Sequence, residues 1–163
     1  MSGKREITGH YGRGSLLERL EAALAEDGAD PARPSLEALA PYDQFHTRGL
    51  EATKEIADAI TVGPGDHLLD IGSGIGGPAR YMHRRFGCSV TGIDLTAEFC
   101  EVARHLTGRL GFGDKLRFEH GDALAMPFAE ASFDGAYSMN VSMNIADKDA
   151  FYLEVRRVLK PGG

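Results

Sequence analysis

LLDIGSGIGG, residues 68–77, is a short apolar run that leads into four closely spaced glycines. The apolar part predicts a buried strand of a parallel sheet. The glycines (Gly72, Gly74, Gly76 and Gly77) predict a tight turn that lets a ligand approach the backbone, followed by a helix whose first N–H groups are free. Because the spacing also satisfies the dinucleotide fingerprint G-x-G-x-x-G, the glycines alone indicate only a nucleotide-like ligand.

Strand and helix patterns alternate on both sides of this segment. Strands are predicted at HLLDIG (67–72), CSVTGID (88–94), KLRFEHGD (115–122) and FDGAYSM (133–139). One helical pattern, at 50–60, precedes the first strand. Three more, at 77–87, 96–111 and 147–160, follow the first, second and fourth strands. Such alternation is typical of an α/β fold, in which parallel strands are joined by right-handed crossovers and helices cover both faces of the sheet.

The first 41 residues predict a helical extension, and residues 42–163 predict the α/β core. Ser15 and Glu18 have the spacing of a capping box, and the leucines that follow recur at helical intervals over 15–26. A short helix is expected at 35–40, ending before Pro41.

Composition narrows the classes of partner. The chain has 163 residues and a net charge of −6, from 18 basic and 24 acidic residues, which disfavours nucleic acid. The pairs Arg84-Arg85 and Arg156-Arg157 are interpreted as solvated helix faces. Cys88 and Cys100 are expected to be buried free thiols, and no stretch approaches the ~20 apolar residues of a membrane helix. We therefore expect a cytoplasmic protein without a membrane or nucleic-acid partner, and no spacing of metal ligands is found.

Two carboxylates end predicted strands where ligands bind in open α/β sheets. Asp70 precedes the first glycine and would repel a pyrophosphate, but it suits the ammonium group of S-adenosylmethionine; the alternative is a cap on loop amides. Asp94 lies 20 residues beyond Gly74 (94 − 74) and can accept both ribose hydroxyls, in NAD as in S-adenosylmethionine. Its alternative role is to cap the helix that begins near Thr96.

Asp122 follows the third strand in HGDALAMPF. Its carboxylate or a neighbouring amide can reach the exocyclic amine of adenine, and Ala123, Leu124, Met126 and Phe128 are candidates to pack on the adenine ring. A turn-forming aspartate is the alternative. The stronger indication is that acidic residues follow strands one, two and three, on one edge of the sheet.

LLDIGSGIGG, TGIDLT, HGDALAMPF, FDGAYSMNVSMN and VLKPGG occur here in an order that resembles class I S-adenosylmethionine-dependent methyltransferases. The chain looks closest to the small-molecule group with ubiquinone/menaquinone-type and sarcosine/dimethylglycine-type enzymes, over residues 42–163. The resemblance implies a Rossmann-like doubly wound parallel sheet with strand order 3-2-1-4 and S-adenosylmethionine as cofactor. It also implies cofactor contacts from the loop 70–76, which includes Ser73, and from Asp94, Leu95, Asp122, Ala123 and Asn140.

On the substrate side the candidates are Tyr11, His46 and Asn144. His46 lies in YDQFHTRG, just before the core, and could contact the methionine carboxylate or a substrate; an ordinary surface or packing histidine is the alternative. The implied reaction is in-line attack of a small-molecule nucleophile on the sulfonium methyl group, and no catalytic base is assigned.

Three alternatives to a self-sufficient methyltransferase stay open at this point. An NAD-dependent oxidoreductase would share the glycines, but it leaves Asp70 unexplained. A cofactor-binding module without catalysis, or an incomplete piece of a larger enzyme, would share the whole pattern. Since the resembled family has three more strands, we expect the sheet to be incomplete, with strand four as an unpaired edge that a homodimer could cover, and we expect weak methyl transfer by this chain alone.

Overall fold

The computed structural model describes residues 15–163. In chain order the elements are α1 (Leu16–Glu26), α2 (Leu36–Asp43), α3 (Leu50–Ala59), β1 (His67–Ile71), α4 (Gly77–Phe86), β2 (Ser89–Asp94), α5 (Ala97–Arg109), β3 (Leu116–His120), β4 (Gly135–Ser138) and α6 (Lys148–Val158). A 3-10 turn, Ser142–Asn144, lies between β4 and α6.

The four strands form one parallel sheet in the order β3-β2-β1-β4. This confirms the predicted Rossmann-like sheet and its strand order. The register places Asp70 of β1 beside Gly92 of β2 and Tyr137 of β4, and it places Asp94 beside His120. The carboxyl ends of the strands therefore meet at one edge, where the predicted carboxylates lie.

Helices cover both faces of the sheet. Because successive side chains of a strand point to opposite faces, Leu68 and Leu69 of β1 belong to different core clusters. The cluster around Leu68 includes side chains of α3, α4 and α5, whereas Phe151 and Val158 of α6 pack in the cluster around Leu69. Within residues 15–163, no helix is long and apolar enough to cross a membrane.

The N-terminal helices pack against α5 and the glycine loop. The predicted capping box of α1 is confirmed: Ser15 Oγ accepts from the Glu18 amide, and Glu18 Oε2 accepts from the Ser15 amide. Apolar side chains of α1 and α2 then form one cluster with α5 and with the loop residue Ile75, namely Leu16, Leu20, Leu24, Leu39, Val102 and Leu106. The extension thus continues the core on the side of the glycine loop.

The prediction that Pro41 ends the second helix was wrong, because α2 continues to Asp43. A proline inside a helix removes one backbone hydrogen bond. Here tertiary contacts hold the helix end: Leu39 is fully buried, and the Asp43 carboxylate is paired with Arg80 of α4 at 2.9 Å, both side chains being buried. The helix therefore runs across the boundary predicted between residues 41 and 42.

Candidate functional site

The glycine loop after β1 is built by backbone geometry that favours glycine. Gly72, Gly74 and Gly76 have φ values of +77°, +53° and +86°. A Cβ atom on Gly72 would lie 2.1 Å from Val141 Cγ2, and one on Gly76 would lie 2.6 Å from Phe118 Cζ. At these two positions the missing side chain makes room for protein atoms, in addition to any close approach of a ligand.

Four amides of this loop are already used inside the protein. Gly72 and Ser73 donate to the carbonyl of Ile93 at 2.8 and 3.1 Å, and Gly76 donates to the carbonyl of Ser73 at 2.9 Å. Gly74 donates to Asp94 Oδ2 at 2.8 Å. A dinucleotide pyrophosphate needs free N–H groups at such a turn, and these four amides do not offer them.

Asp70, the residue before the last of β1, has a carboxyl group that is almost completely buried, at 2% exposure. Burial is the main cause that raises its pKa to about 7, and the negative charge of Asp94 adds to the rise. The neighbouring Tyr137 hydroxyl opposes the rise but does not meet the geometry of a hydrogen bond to this carboxyl. A positively charged ligand group would stabilise the ionised form of Asp70, since an opposite charge lowers a carboxyl pKa.

Asp94 ends β2 and connects the glycine loop to α5. Its Oδ2 accepts from the Gly74 amide, and its Oδ1 accepts from the Thr96 amide at 2.9 Å. Thr96 is the N-cap of α5 as predicted, but its side chain makes no capping hydrogen bond. Because each carboxylate oxygen has a second lone pair, Asp94 can still accept a ribose diol. The next residue, Leu95, is 71% exposed and forms an apolar rim.

The loop after β3 turns on Asp122, whose Oδ1 accepts from the Leu124 amide at 2.8 Å. The turn-forming role is therefore present, while the exposed carboxylate keeps lone pairs for a ligand. Met126 is buried, and Phe128 packs edge-on against Phe133 with ring centroids 5.1 Å apart. Met126 belongs to the core cluster under α6, so the prediction that it packs on an adenine ring was wrong. Ala123, Leu124 and Phe128 are half-buried against the same cluster, and their packing on the ring stays a prediction.

The segment between α2 and α3 spans from the glycine loop to the end of β4. A Cβ on Gly74 would meet the Phe45 ring at 3.5 Å, and Phe45 is half-exposed. On the other side, Asn140 Nδ2 donates to Thr47 Oγ1 at 3.2 Å, and Asn140 has a φ of +56°. Residues 45–47 thus form a cover at the carboxyl ends of β1 and β4.

His46 lies in this cover, and its contacts favour one tautomer. Thr53 Oγ1 donates its hydrogen to Gln44 Oε1 at 2.6 Å, and His46 Nε2 is 3.1 Å from both of these oxygens. We assign the proton of the neutral ring to Nε2, because Gln44 Oε1 can only accept, and this assignment leaves a lone pair on Nδ1. Burial is the main cause that lowers the pKa of His46, which favours the neutral ring.

Buried polar atoms without partners are concentrated at this edge of the sheet. Within residues 15–163 seven such side-chain atoms occur, and five of them belong to residues of the strand ends, the glycine loop and the cover: Asp70 Oδ2, Ser73 Oγ, Tyr137 Oη, Ser138 Oγ and His46 Nδ1. The other two belong to the Asp43–Arg80 pair. Because buried polar groups are nearly always hydrogen-bonded, such a cluster is typical of a site completed by a polar ligand.

The predicted site residues do not all share this environment. A hydrogen bond joins Gly74 to Asp94, and the charge of Asp94 acts on the nearby Asp70. Asn140 bonds Thr47, the chain neighbour of His46, and not His46 itself. Asn144 is exposed in the 3-10 turn. Ala123 is half-buried beside the core cluster. Tyr11 lies outside the described residues.

Some residues of the site carry little signal in the sequence. Tyr137 and Ser138 belong to an ordinary strand pattern, and only the register beside Asp70 brings them to the site. Phe45 precedes the predicted His46, but its position over Gly74 depends on the tertiary fold. Another cavity, of about 390 Å³, lies mostly at the amino ends of β1 and β4 and shares only Tyr137 with this site. It is lined by residues such as Asp66, Asp134 and Lys160.

Comparison with known proteins gives a consistent family. A family model described as a methyltransferase domain matches residues 69–163. Methyltransferase GfsG of Streptomyces halstedii is 30% identical over 160 residues, covering 98% of this chain and 55% of that protein. Sterol 24-C-methyltransferase ERG6B of Gibberella zeae is 39% identical over 108 residues, covering 66% of this chain and 28% of that protein. The chain thus spans between about a quarter and just over half of these relatives.

Solved structures share the fold. Geranyl diphosphate C-methyltransferase of Streptomyces coelicolor, in complex with Mg²⁺, geranyl diphosphate and S-adenosyl-L-homocysteine, aligns with a TM-score of 0.67 and 29% identity, covering 70% of this chain and 43% of that one. The [4+2]-cyclase SpnF aligns with a TM-score of 0.66 and 30% identity, covering 69% of this chain and 42% of that one.

Proposed function

This chain belongs to the methyltransferase domain family, and from that premise we propose that it binds S-adenosylmethionine at the carboxyl ends of β1, β2 and β4 for methyl transfer to a small molecule. The observation that carries the proposal is the cluster of unpartnered buried polar atoms around Asp70. These atoms adjoin the glycine loop and need a ligand with both donors and acceptors, which the amino-acid part of S-adenosylmethionine has.

Each contact is proposed for a chemical reason. The buried Asp70 carboxyl receives the ammonium group of the methionine part, with Ser73 and the loop 70–76 around it. Asp94 accepts the ribose hydroxyls with the lone pairs that its two amide bonds leave over, and Leu95 flanks the base. Asp122 accepts from the adenine amine. Ala123 lies beside the base, and Asn140 lies at the methionine end.

NAD fits this set less well. The amides of Gly72, Ser73, Gly74 and Gly76 are bonded within the protein, so they offer no cradle for a pyrophosphate. A buried carboxyl at Asp70 would also repel phosphate. The bonded amides thus disfavour an anionic ligand, and the carboxyl favours a cofactor that is positively charged near the loop.

When bound, S-adenosylmethionine supplies a methyl group that its sulfonium activates for in-line attack. The residues of the chain then contribute position and exclusion of water. Phe45 and the rest of the cover 45–47 shield the methionine end. Nδ1 of the neutral His46 ring is proposed to accept a hydrogen bond from the N–H or O–H group of the small molecule that receives the methyl group. Asn144, exposed near the same edge, is a second proposed contact for the acceptor.

The methyl acceptor is proposed to be a small molecule with a nitrogen, oxygen or carbon nucleophile. We also propose that the protein works in the reducing environment of the cytoplasm. Relatives named for sterol and geranyl diphosphate methylation support the first point. The buried free thiols Cys88 and Cys100 support the second. Because one structural neighbour is a cyclase, methyl transfer needs a test separate from cofactor binding.

That test measures transfer of a radiolabelled methyl group from S-adenosylmethionine to a panel of amines, phenols, quinols and isoprenoid alkenes. The proposal expects label on one acceptor class, and His46→Phe should raise the KM for that acceptor. If a chain that binds S-adenosylhomocysteine labels no acceptor in the panel, small-molecule methyl transfer by this chain is contradicted, while the cofactor assignment stands.

A further inference from the structure

The loop 122–128, here called the adenine loop, has little hydrogen bonding of its own. It contains the Asx turn of Asp122 and one further turn, in which the Ala125 amide donates to the Asp122 carbonyl at 3.1 Å. No helix or strand includes these residues. The conformation of the adenine loop therefore depends on the groups that hold it from outside.

Two charged side chains of α6 hold the main chain of this loop. Glu154 Oε1 accepts from the Met126 amide at 2.7 Å. Arg157 Nη2 donates to the Met126 carbonyl at 3.0 Å, and Arg157 Nη1 donates to the Phe128 carbonyl at 2.7 Å. Both the donor and the acceptor of Met126 are thus fixed from one helix.

Glu154 and Arg157 also fix each other. Arg157 Nε donates to Glu154 Oε2 at 2.8 Å, and Arg157 Nη2 donates to Glu154 Oε1 at 2.6 Å, a two-pronged ion pair. Arg157 lowers the pKa of Glu154, and Glu154 raises the pKa of Arg157, so both groups are charged at neutral pH. The side chains are 14% and 30% exposed, respectively. The interpretation of Arg157 as part of a solvated basic face was therefore wrong; it fits only its exposed neighbour Arg156.

Apolar contacts hold the other side of the adenine loop. Met126 is buried and Phe128 packs against Phe133, so these side chains point into the core, while Asp122 stays exposed. The loop is consequently fixed from the core and from α6, and the only charged side chain it carries is presented to solvent at the sheet edge.

We propose that Glu154 and Arg157 are positioning residues for base recognition: by fixing the adenine loop, they set the selectivity of the site for adenine. This inference rests on the proposed cofactor function, in which Asp122 accepts a hydrogen bond from the adenine amine. Such a bond weakens steeply with distance and angle. A loop released from α6 would still fold over the core, but it would no longer hold the Asp122 carboxylate at one place.

The test compares the affinity of the full chain for S-adenosylhomocysteine with that for S-inosylhomocysteine, in which an oxygen replaces the adenine amine. Calorimetry gives the ratio of the two dissociation constants. For the wild-type chain we expect S-inosylhomocysteine to bind at least about tenfold more weakly, as expected for loss of a hydrogen bond to a charged group. Arg157→Met should bring the ratio close to one, and Arg157→Lys and Glu154→Gln should give intermediate ratios. Arg156→Met is the matched control and should keep the wild-type ratio.

The ratio separates positioning from stability. If Arg157→Met only destabilises the fold, its melting temperature falls, but its folded molecules keep the wild-type ratio of the two dissociation constants. That result would overturn the inference. If Arg157→Met does not fold, the two milder variants measure the same ratio. A wild-type chain that binds both ligands equally overturns this inference alone, whereas one that binds neither overturns the proposed function as well.

Discussion

Replacing Asp70 by asparagine should make the protein more stable at neutral and alkaline pH and weaken its binding of the cofactor. Burial raises the pKa of Asp70 from 3.8 to about 7. The folded chain therefore keeps a proton that the unfolded chain releases between pH 3.8 and about 7, so the free energy of unfolding falls as pH rises through this window. Since one pKa unit is worth about 1.4 kcal/mol, the loss above pH 7 is on the order of 4 kcal/mol.

Asp70→Asn removes this titration while keeping the shape of the side chain. We expect the unfolding free energies of variant and wild type to be similar near pH 4 and to diverge up to about pH 7, with the variant more stable by on the order of 4 kcal/mol at pH 8. Urea denaturation at several pH values measures this difference. Asp114→Asn, which changes an exposed aspartate, is the control and should give no divergence of this size.

Cofactor affinity should change in the opposite direction. The asparagine variant should bind S-adenosylhomocysteine about 10- to 100-fold more weakly, the range for a hydrogen bond to a charged group. The wild-type affinity should fall as pH drops from 8 to 6, because the ammonium group prefers the ionised carboxyl. The role of Asp70 would be refuted if the asparagine variant were no more stable at pH 8 than the wild type, or if it bound S-adenosylhomocysteine with unchanged affinity.

The remaining predictions concern groups that connect the site to the fold. Asp94→Ala should lower the affinity for S-adenosylhomocysteine by on the order of 1.5–3 kcal/mol, and it should also lower the melting temperature, because the amides of Gly74 and Thr96 lose their acceptors. A fall in melting temperature with unchanged affinity would leave Asp94 only its structural role. Arg80→Met should lower the free energy of unfolding by about 3–5 kcal/mol in urea denaturation, because it leaves the buried Asp43 carboxylate without its partner. A loss below about 1 kcal/mol would mean that the pair does not hold α2 to α4.

The strands could be predicted from the sequence because their pattern depends mainly on burial. β1 and β2 lie between helices on both faces, so they appear as apolar runs between glycines, and the alternation with helices implies a parallel sheet. Asp70 and Asp94 then follow at strand ends. Local residue types were sufficient for these features.

Contacts between distant segments could not be predicted in this way. α2 passes Pro41 because Asp43 meets Arg80, 37 residues further along the chain. Arg157 binds carbonyl groups 29 and 31 residues away. Whether an apolar side chain of the loop after β3 faces a ligand or the core depends on where α6 lies. No local sequence pattern predicts the position of α6.

The most direct test of the central claim is a calorimetric titration of the chain with S-adenosylhomocysteine and, separately, with NAD. We predict saturable binding of S-adenosylhomocysteine at one site per chain and no heat from NAD, because four of the loop amides are already bonded and the buried carboxyl of Asp70 would repel a pyrophosphate. Binding of NAD without binding of S-adenosylhomocysteine would contradict the assignment of this edge of the sheet to S-adenosylmethionine.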